Sequence, residues 1–317
     1  MNNTFLSVIT VVQNHEEIQQ LPELLGNLYQ VLKENFSDFE IILVNNTHGR
    51  DFSRMIAPLD AALKHHVFQI NLSSHVNRNH AIVAGLDRAN GDYTVIFEFV
   101  FLQNAQIILD LFEKSKAGND IVYLQAKTRE SNLRGRFFYT LFYHILQRYS
   151  DLKIDEKAHD TRIISRRALN SLLRMRENLR YMKALYSLVG YQTSSIIVDE
   201  PLLHDPHQSF SDKFRTSLVA ITSFTTFLRS VMLWIFLFSI LFMSIVILDA
   251  IKVKVTNYNI LGHYYEAVPG WTFIVVLISI FFAITCLNLY IMSIYLGNIY
   301  NEIKQRPLYI IESVRRF

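Results

Sequence analysis

Lys127, Arg129, Arg134 and Arg136 crowd a ten-residue stretch, and Arg180 and Lys183 form a second basic pair. Such groups suit phosphate, arginine through paired N–H···O bonds and lysine as a point charge. They suit adhesion to anionic lipid equally well, and residue type alone leaves both uses open. Asp160 opens a segment running into Arg166 to Leu173, which admits two roles: a working carboxylate or the cap of a helix. His48, His65, His66, His75, His80, His204 and His207 yield no pair with dependable metal-ligand geometry, the loop spacing of His204 and His207 included. The sequence has no G-x-G-x-x-G, no phosphate-loop motif and no Ser-His-Asp order, which removes those devices from consideration. Cys286 is the single cysteine and lies in an apolar run, so no intramolecular disulfide is available and a reducing compartment is expected.

The elements that must position these groups alternate between two periodicities. Leu6 to Val12, Phe39 to Val44, Val67 to Leu72, Tyr93 to Phe99 and Ile121 to Gln125 read as strands. Gln19 to Glu34 reads as a helix with Leu21, Leu24, Leu25, Leu28, Val31 and Leu32 on one face and Pro22 near its first turn. Further helices are expected near 51–64, 78–89 and 105–115. The pattern predicts an α/β fold, doubly wound around a mostly parallel sheet.

The remaining third of the chain is different in kind. Ser230 to Leu248 carries no charge, and Trp271 to Asn301 carries none either. Each is long enough to cross about 30 Å of hydrocarbon at about 1.5 Å per residue. Half of the 317 residues are hydrophobic and only 19% are charged, which excludes disorder and favours membrane segments. A formal charge of +3 is too balanced for a general nucleic-acid binder. The opening residues lack the basic start and cleavage site of a signal peptide, so the N-terminus is expected in the cytoplasm. The predicted organisation is a domain over 1–205, a juxtamembrane amphipathic helix over 206–229 and a transmembrane helix over 230–251. An external loop over 252–269, a second transmembrane helix over 270–297 and a cytoplasmic tail over 298–317 complete it. Arg215, Arg229, Lys304, Arg306, Arg315 and Arg316 flank the apolar runs, so the domain is expected on the cytoplasmic side of a bacterial inner membrane.

Several segments carry a resemblance. The run from Tyr295, Leu296, Gly297 and Asn298 through Glu302, Ile303, Lys304, Gln305, Arg306, Pro307, Leu308 and Tyr309 is one. Asp160-Thr161-Arg162-Ile163 with Arg166 and Arg167 is a second, Arg180-Tyr181-Met182-Lys183 before Val189-Gly190-Tyr191 a third, and Ala84-Gly85-Leu86 before Gly91-Asp92 a fourth. Together they resemble the family 2 glycosyltransferases of the polyprenyl-phosphate class, the bactoprenol glucosyltransferases and dolichol-phosphate mannose synthases. The resemblance implies a GT-A fold in which a nucleotide-sugar lies over the carboxyl ends of the strands and a lipid phosphate reaches it from the bilayer.

It also implies site residues, and here the chain departs from the family. An Asp-x-Asp motif normally holds Mg or Mn, but aligning Leu102 and Gln103 puts Phe99 and Phe101 where both aspartates belong and leaves Glu98 as a lone carboxylate. No metal site is therefore expected. Asn45 and Asn46 stand where an acidic residue holds the base, and Asn14 and Glu16 approximate an Asn-Glu pair. Nucleotide-sugar binding by Asn14, Glu16, Asn45, Asn46, Glu98 and Gln103 is the resulting expectation, with a uridine donor favoured. Asp160 and Arg162 correspond to the catalytic segment. Lys127, Arg129, Arg134, Arg136, Arg180, Lys183 and Lys213 are assigned to lipid phosphate. Two functions follow: transfer of a sugar to polyprenyl (undecaprenyl) phosphate for the cell envelope, or a catalytically inactive homologue that regulates or partners an envelope-glycan enzyme. Polyprenyl phosphate, nucleotide-sugar, membrane lipid and a second copy or partner glycosyltransferase are the expected partners, and nucleic acid is not.

Overall fold

The computed structural model describes residues 2–47, 49–128, 140, 142, 144–146, 148–150, 154–175, 182–202, 217, 221, 225, 227–256, 258, 262, 264, 270–303 and 307–317. The chain divides into two compact units. One comprises Met1–Tyr143, Leu152–Ser209 and Gln305–Phe317, the other His144–Asp151 and Phe210–Lys304.

The first unit begins with β1 (Asn2–Val12), α1 (His15–Asn35), β2 (Phe36–Asn45), the single-turn helices α2 (Ser53–Ile56) and α3 (Ala61–Lys64), and β3 (Val67–Leu72). It continues with α4 (Arg78–Arg88), β4 (Tyr93–Ile96), a 3-10 turn (Phe99–Phe101), α5 (Ile107–Lys116) and β5 (Ile121–Ala126). Then come β6 (Ala158–Ser165), α6 (Arg166–Arg174), α7 (Met182–Leu188), β7 (Thr193–Val198) and, much later in the chain, β8 (Ile311–Arg316).

One sheet holds all eight strands in the order β7-β5-β6-β4-β1-β2-β3-β8. β1 pairs in parallel with β2 on one side and β4 on the other. The chain walks outward from β1 to β2 and β3, then returns past β1 to lay down β4. That reversal makes a topological switch point between β1 and β4, whose carboxyl ends are the place where open α/β sheets accept ligands. β1 reads as an apolar run because helices cover both faces, and Leu6, Val8, Ile9 and Val12 are fully buried.

α1 starts four residues earlier than its apolar stripe suggests, because the Asn14 side chain caps it by accepting from the Glu17 N–H at 2.8 Å. Pro22 therefore sits inside the helix instead of in its first turn. α4 is pressed hard onto the sheet: a Cβ on Gly85 would collide with Ile9 Cγ2 and lie 3.1 Å from Val44 Cγ2. Gly91 is less forgiving, since a Cβ there would meet backbone atoms, Ser7 N at 2.6 Å and Phe5 O at 2.8 Å.

Three strands depart from the sequence reading. β6 contains Asp160, which the sequence offered as a possible helix cap; the cap of α6 is Ser165, whose hydroxyl accepts from the Ala168 N–H at 3.4 Å. β6 runs antiparallel to both β4 and β5. β7 joins β5 in parallel. β8 lies within the segment read as the tail, pairing antiparallel with β3. Around it, the Tyr309 hydroxyl hydrogen-bonds the Asp87 carboxylate, Arg315 reaches Asp51 at 2.9 Å and the Arg316 guanidinium lies 5.2 Å from the Phe68 ring centroid.

The second unit contains α8 (Phe227–Thr256) and α9 (Gly270–Ile303), of 30 and 34 residues. Their apolar side chains face outward, with Trp234 71% and Phe282 70% exposed. Among the described residues, one window is long and apolar enough to cross a membrane, Ile280–Gly297, with mean hydropathy 1.8 and 6% of it buried. Ser230–Ser239 is a shorter apolar run. The amphipathic helix expected over 206–229 lies almost wholly outside the described residues.

Candidate functional site

At the carboxyl end of β1 the chain turns through Gln13 into the capped start of α1, and the Glu17 carboxylate folds back to accept from the Gln13 N–H at 2.6 Å. At the end of β4, Glu98 remains extended. Its Oε2 accepts from the Thr161 N–H at 2.8 Å and the Thr161 hydroxyl at 3.1 Å, while its own N–H donates to that hydroxyl at 3.1 Å. Because β6 is antiparallel, its first residues arrive at this same end of the sheet, and Asp160 comes with them.

Arg78 joins these pieces. It is the first residue of α4, placed there by the Asn77 cap, whose side chain accepts from the Asn79 N–H at 2.9 Å. Its Nε–H donates to Asp160 Oδ2 at 3.1 Å, Nη1 to Gln13 Oε1 at 3.0 Å and Nη2 to Glu98 Oε1 at 3.4 Å. One guanidinium thus spans the ends of β1, β4 and β6. Side-chain exposure is 25% for Arg78, 21% for Asp160 and 16% for Glu98, so the cluster is sheltered but open to a ligand. Burial alone would raise the Asp160 pKa, but Arg78, Lys183 and Arg162 outweigh it and hold the carboxyl below its ordinary value of 3.8. Burial opposes the charge on Arg78 as well, yet Glu98, Asp160 and Glu17 raise its pKa above the ordinary value.

The groups beneath Asp160 brace it. The Arg162 guanidinium is buried, donating from Nη2 to the His159 carbonyl at 2.7 Å and from Nε to the Asp160 carbonyl at 3.1 Å. It stacks 3.8 Å from the Tyr186 ring centroid. This arginine shapes the backbone of the site instead of facing a substrate. Lys183 donates to the Ala158 carbonyl at 2.7 Å. His159 is buried with Nδ1 3.7 Å from Glu98 Oε2 and its ring edge-on to Phe101.

The other residues singled out in the sequence are placed as follows. Asn45 gives both amide hydrogens to its own chain, to the Arg50 carbonyl at 2.6 Å and Asn71 Oδ1 at 2.9 Å. Its oxygen accepts from the Thr47 N–H at 3.1 Å and hydroxyl at 2.7 Å, which fills its hydrogen-bonding capacity. Asn46 is paired with the Val76 backbone through both its oxygen and its nitrogen at 2.9 Å. Glu16 is exposed in the first turn of α1, Gln103 bonds Glu23 at 2.7 Å, and Lys127 pairs with Asp199. Phe101 is buried and Phe99 packs against the core. Arg129, Arg134, Arg136, Arg180, Lys213, His48, His204 and His207 lie outside the described residues.

Among the described residues no group of three His, Cys, Asp or Glu side chains is placed to hold a metal ion. Hard cations of the Mg or Mn type need several oxygen ligands, and here Glu98 and Asp160 are committed to Arg78 and Thr161. These residues do not fit such an ion. Sequence reasoning missed Arg78, although the signal was there: a basic residue opening a predicted helix just after a strand, in the kind of loop that lines α/β ligand sites.

No protein-family model matches the chain. Curated relatives do, over nearly its whole length. An uncharacterized glycosyltransferase of Synechocystis is 27% identical over 320 residues, covering 98% of this chain and 95% of its own. The bactoprenol glucosyl transferase of Shigella phage SfII is 27% identical over 320 residues, with 98% of each chain covered. A prophage bactoprenol glucosyl transferase homolog of Escherichia coli is 26% identical over 318 residues, covering 98% and 99%. Among solved structures, glucosyl-3-phosphoglycerate synthase of Mycobacterium tuberculosis with UDP matches at TM-score 0.46 and 11% identity, over 69% of this chain and 78% of that one. That likeness is too slight to argue from.

Proposed function

We propose that this chain, a relative of the bactoprenol glucosyl transferases, is a membrane-held glycosyltransferase that moves a sugar from a uridine-type nucleotide-sugar to polyprenyl phosphate for the cell envelope. The similarity over 98% of the chain carries the reading, because it includes the two long helices as well as the sheet. The α/β unit is then a GT-A domain. α8 and α9 are its two membrane spans, and the sheet stands on the cytoplasmic side. Such an anchor suits an acceptor whose tail cannot leave the bilayer.

In the transfer, an oxygen of the acceptor phosphate bonds to the anomeric carbon while the bond from that carbon to the diphosphate breaks, its electron pair leaving with the nucleoside diphosphate. A phosphate monoester is already ionised at neutral pH, so no general base is needed. The depressed pKa of Asp160 makes it a poor proton acceptor, and its task is to orient reacting groups. Lys127, Arg129, Arg134, Arg136, Arg180, Lys183 and Lys213 are candidates to receive the acceptor phosphate. A second reading, a non-catalytic partner of an envelope-glycan enzyme, is favoured by Phe99 and Phe101 at the positions of the expected acidic pair.

Full-length protein in nanodiscs, given a panel of UDP-sugars and a short polyprenyl phosphate, is expected to form a polyprenyl-phosphate sugar detectable by mass spectrometry. Asp160→Ala is expected to lower turnover by two orders of magnitude or more. Absence of product with every donor, together with absence of UDP binding, would transfer the case to the non-catalytic reading.

A further inference from the structure

We infer that Arg78 is a built-in cation for the donor diphosphate, standing where a divalent ion would otherwise serve, so that donor binding needs no metal. The inference rests on the donor reading above and adds the residue that makes it work.

The geometry gives three supports. First, Arg78 is fixed by partners from three elements, Asp160, Glu98 and Gln13, at the carboxyl ends of β1 and β4. A guanidinium has five N–H bonds, and these contacts use one on Nε and one on each terminal nitrogen. One N–H on Nη1 and one on Nη2 remain for a bidentate grip on phosphate oxygens, and a quarter of the side chain is exposed. Second, charge is already matched. Asp160, Glu98 and Glu17 are the carboxylates that act on this cluster, and Arg78, Lys183 and Arg162 are the cations. A divalent ion would find no uncompensated carboxylate to bind. Third, the position is rigid. Arg78 opens the 11-residue α4, and Gly85 lets that helix sit directly on Ile9 and Val44. The helix N-terminus adds partial positive charge on the same side. The loss of an acidic pair at Phe99 and Phe101 is then one half of a coupled change, with the fixed arginine as the other half.

The test uses full-length protein in detergent. By calorimetry, the wild type is expected to bind UDP with the same affinity, within about twofold, in EDTA and in about 1 mM Mn²⁺. Arg78→Ala is expected to weaken UDP at least tenfold, and Arg78→Lys to fall between, since it keeps the charge and loses the fork. A gain in wild-type affinity of tenfold or more with Mn²⁺, or unchanged UDP affinity in Arg78→Ala, would overturn the inference. The EDTA comparison needs no variant and survives any folding failure. Electron paramagnetic resonance of Mn²⁺ without nucleotide supplies an independent arm. Arg78→Ala is expected to take up Mn²⁺ that the wild type leaves free, and Arg78→Ala/Glu98→Gln to lose that uptake. If UDP binds to none of the proteins, the donor reading fails while this arm still decides Arg78: uptake by Arg78→Ala alone supports its seat, and equal indifference or equal uptake overturns it.

Discussion

Asp160 is a carboxylate whose ionisation is stabilised by the fold, and this fixes the sign of its pH dependence. Its pKa is depressed below 3.8 in the folded chain, so it contributes stability at neutral pH that is lost as pH falls from the ordinary value through the folded one. Denaturant unfolding of the wild type between pH 6 and about 3 is expected to show that loss. Asp160→Asn is expected to lack this portion of the acid limb and to be less stable near neutrality. Arg162 invites a different experiment, because its side chain touches carbonyls and an aromatic ring instead of solvent. Arg162→Ala is expected to cost about 2–4 kcal/mol of stability by chemical denaturation, whereas Arg162→Lys restores only part. Asp160 was offered by the sequence as a working carboxylate, but the bracing role of Arg162 was not visible in its name. Arg162 was read as part of a catalytic segment by resemblance, and what disclosed its bracing role was the antiparallel course of β6, which no local pattern announces.

Between residues and the whole chain, the elements show where sequence patterns inform and where they fail. The strands β1 to β5 and helices α1, α4 and α5 were legible because each carries its own apolar periodicity. β6 was not, since Asp160 and Arg162 interrupt its alternation and the arginine is buried by stacking on Tyr186, which hydropathy does not register. β8 was missed because its residues, Ile311 to Arg316, are mostly exposed and half charged, as suits an edge strand. The same fit of element to element makes two glycines testable. Gly85→Ala pushes against the Ile9 and Val44 side chains, which can give a little, and about 1–3 kcal/mol of destabilisation is expected in thermal unfolding. Gly91→Ala pushes against the backbone at Ser7 and Phe5, which cannot, so the larger loss of about 3 kcal/mol or more is expected there.

At the scale of the molecule, the first unit is discontinuous in sequence, taking its last strand from beyond α9. If α8 and α9 span a membrane, that strand requires the chain to return to the face from which it left. In a Cys286→Ser background, single cysteines at Ser313 and Lys64 are expected to react with an impermeant maleimide from the same side of sealed vesicles. Reaction from opposite sides would contradict the membrane arrangement proposed above. The return also has a cost in time. The edge of β3 stays uncovered while the ribosome makes the residues between Leu72 and Ile311, roughly 12–48 s at 5–20 residues per second. Throughout that interval the nascent sheet keeps an unclosed border. A chain built in this order benefits from prompt closure of that border, before it finds another strand.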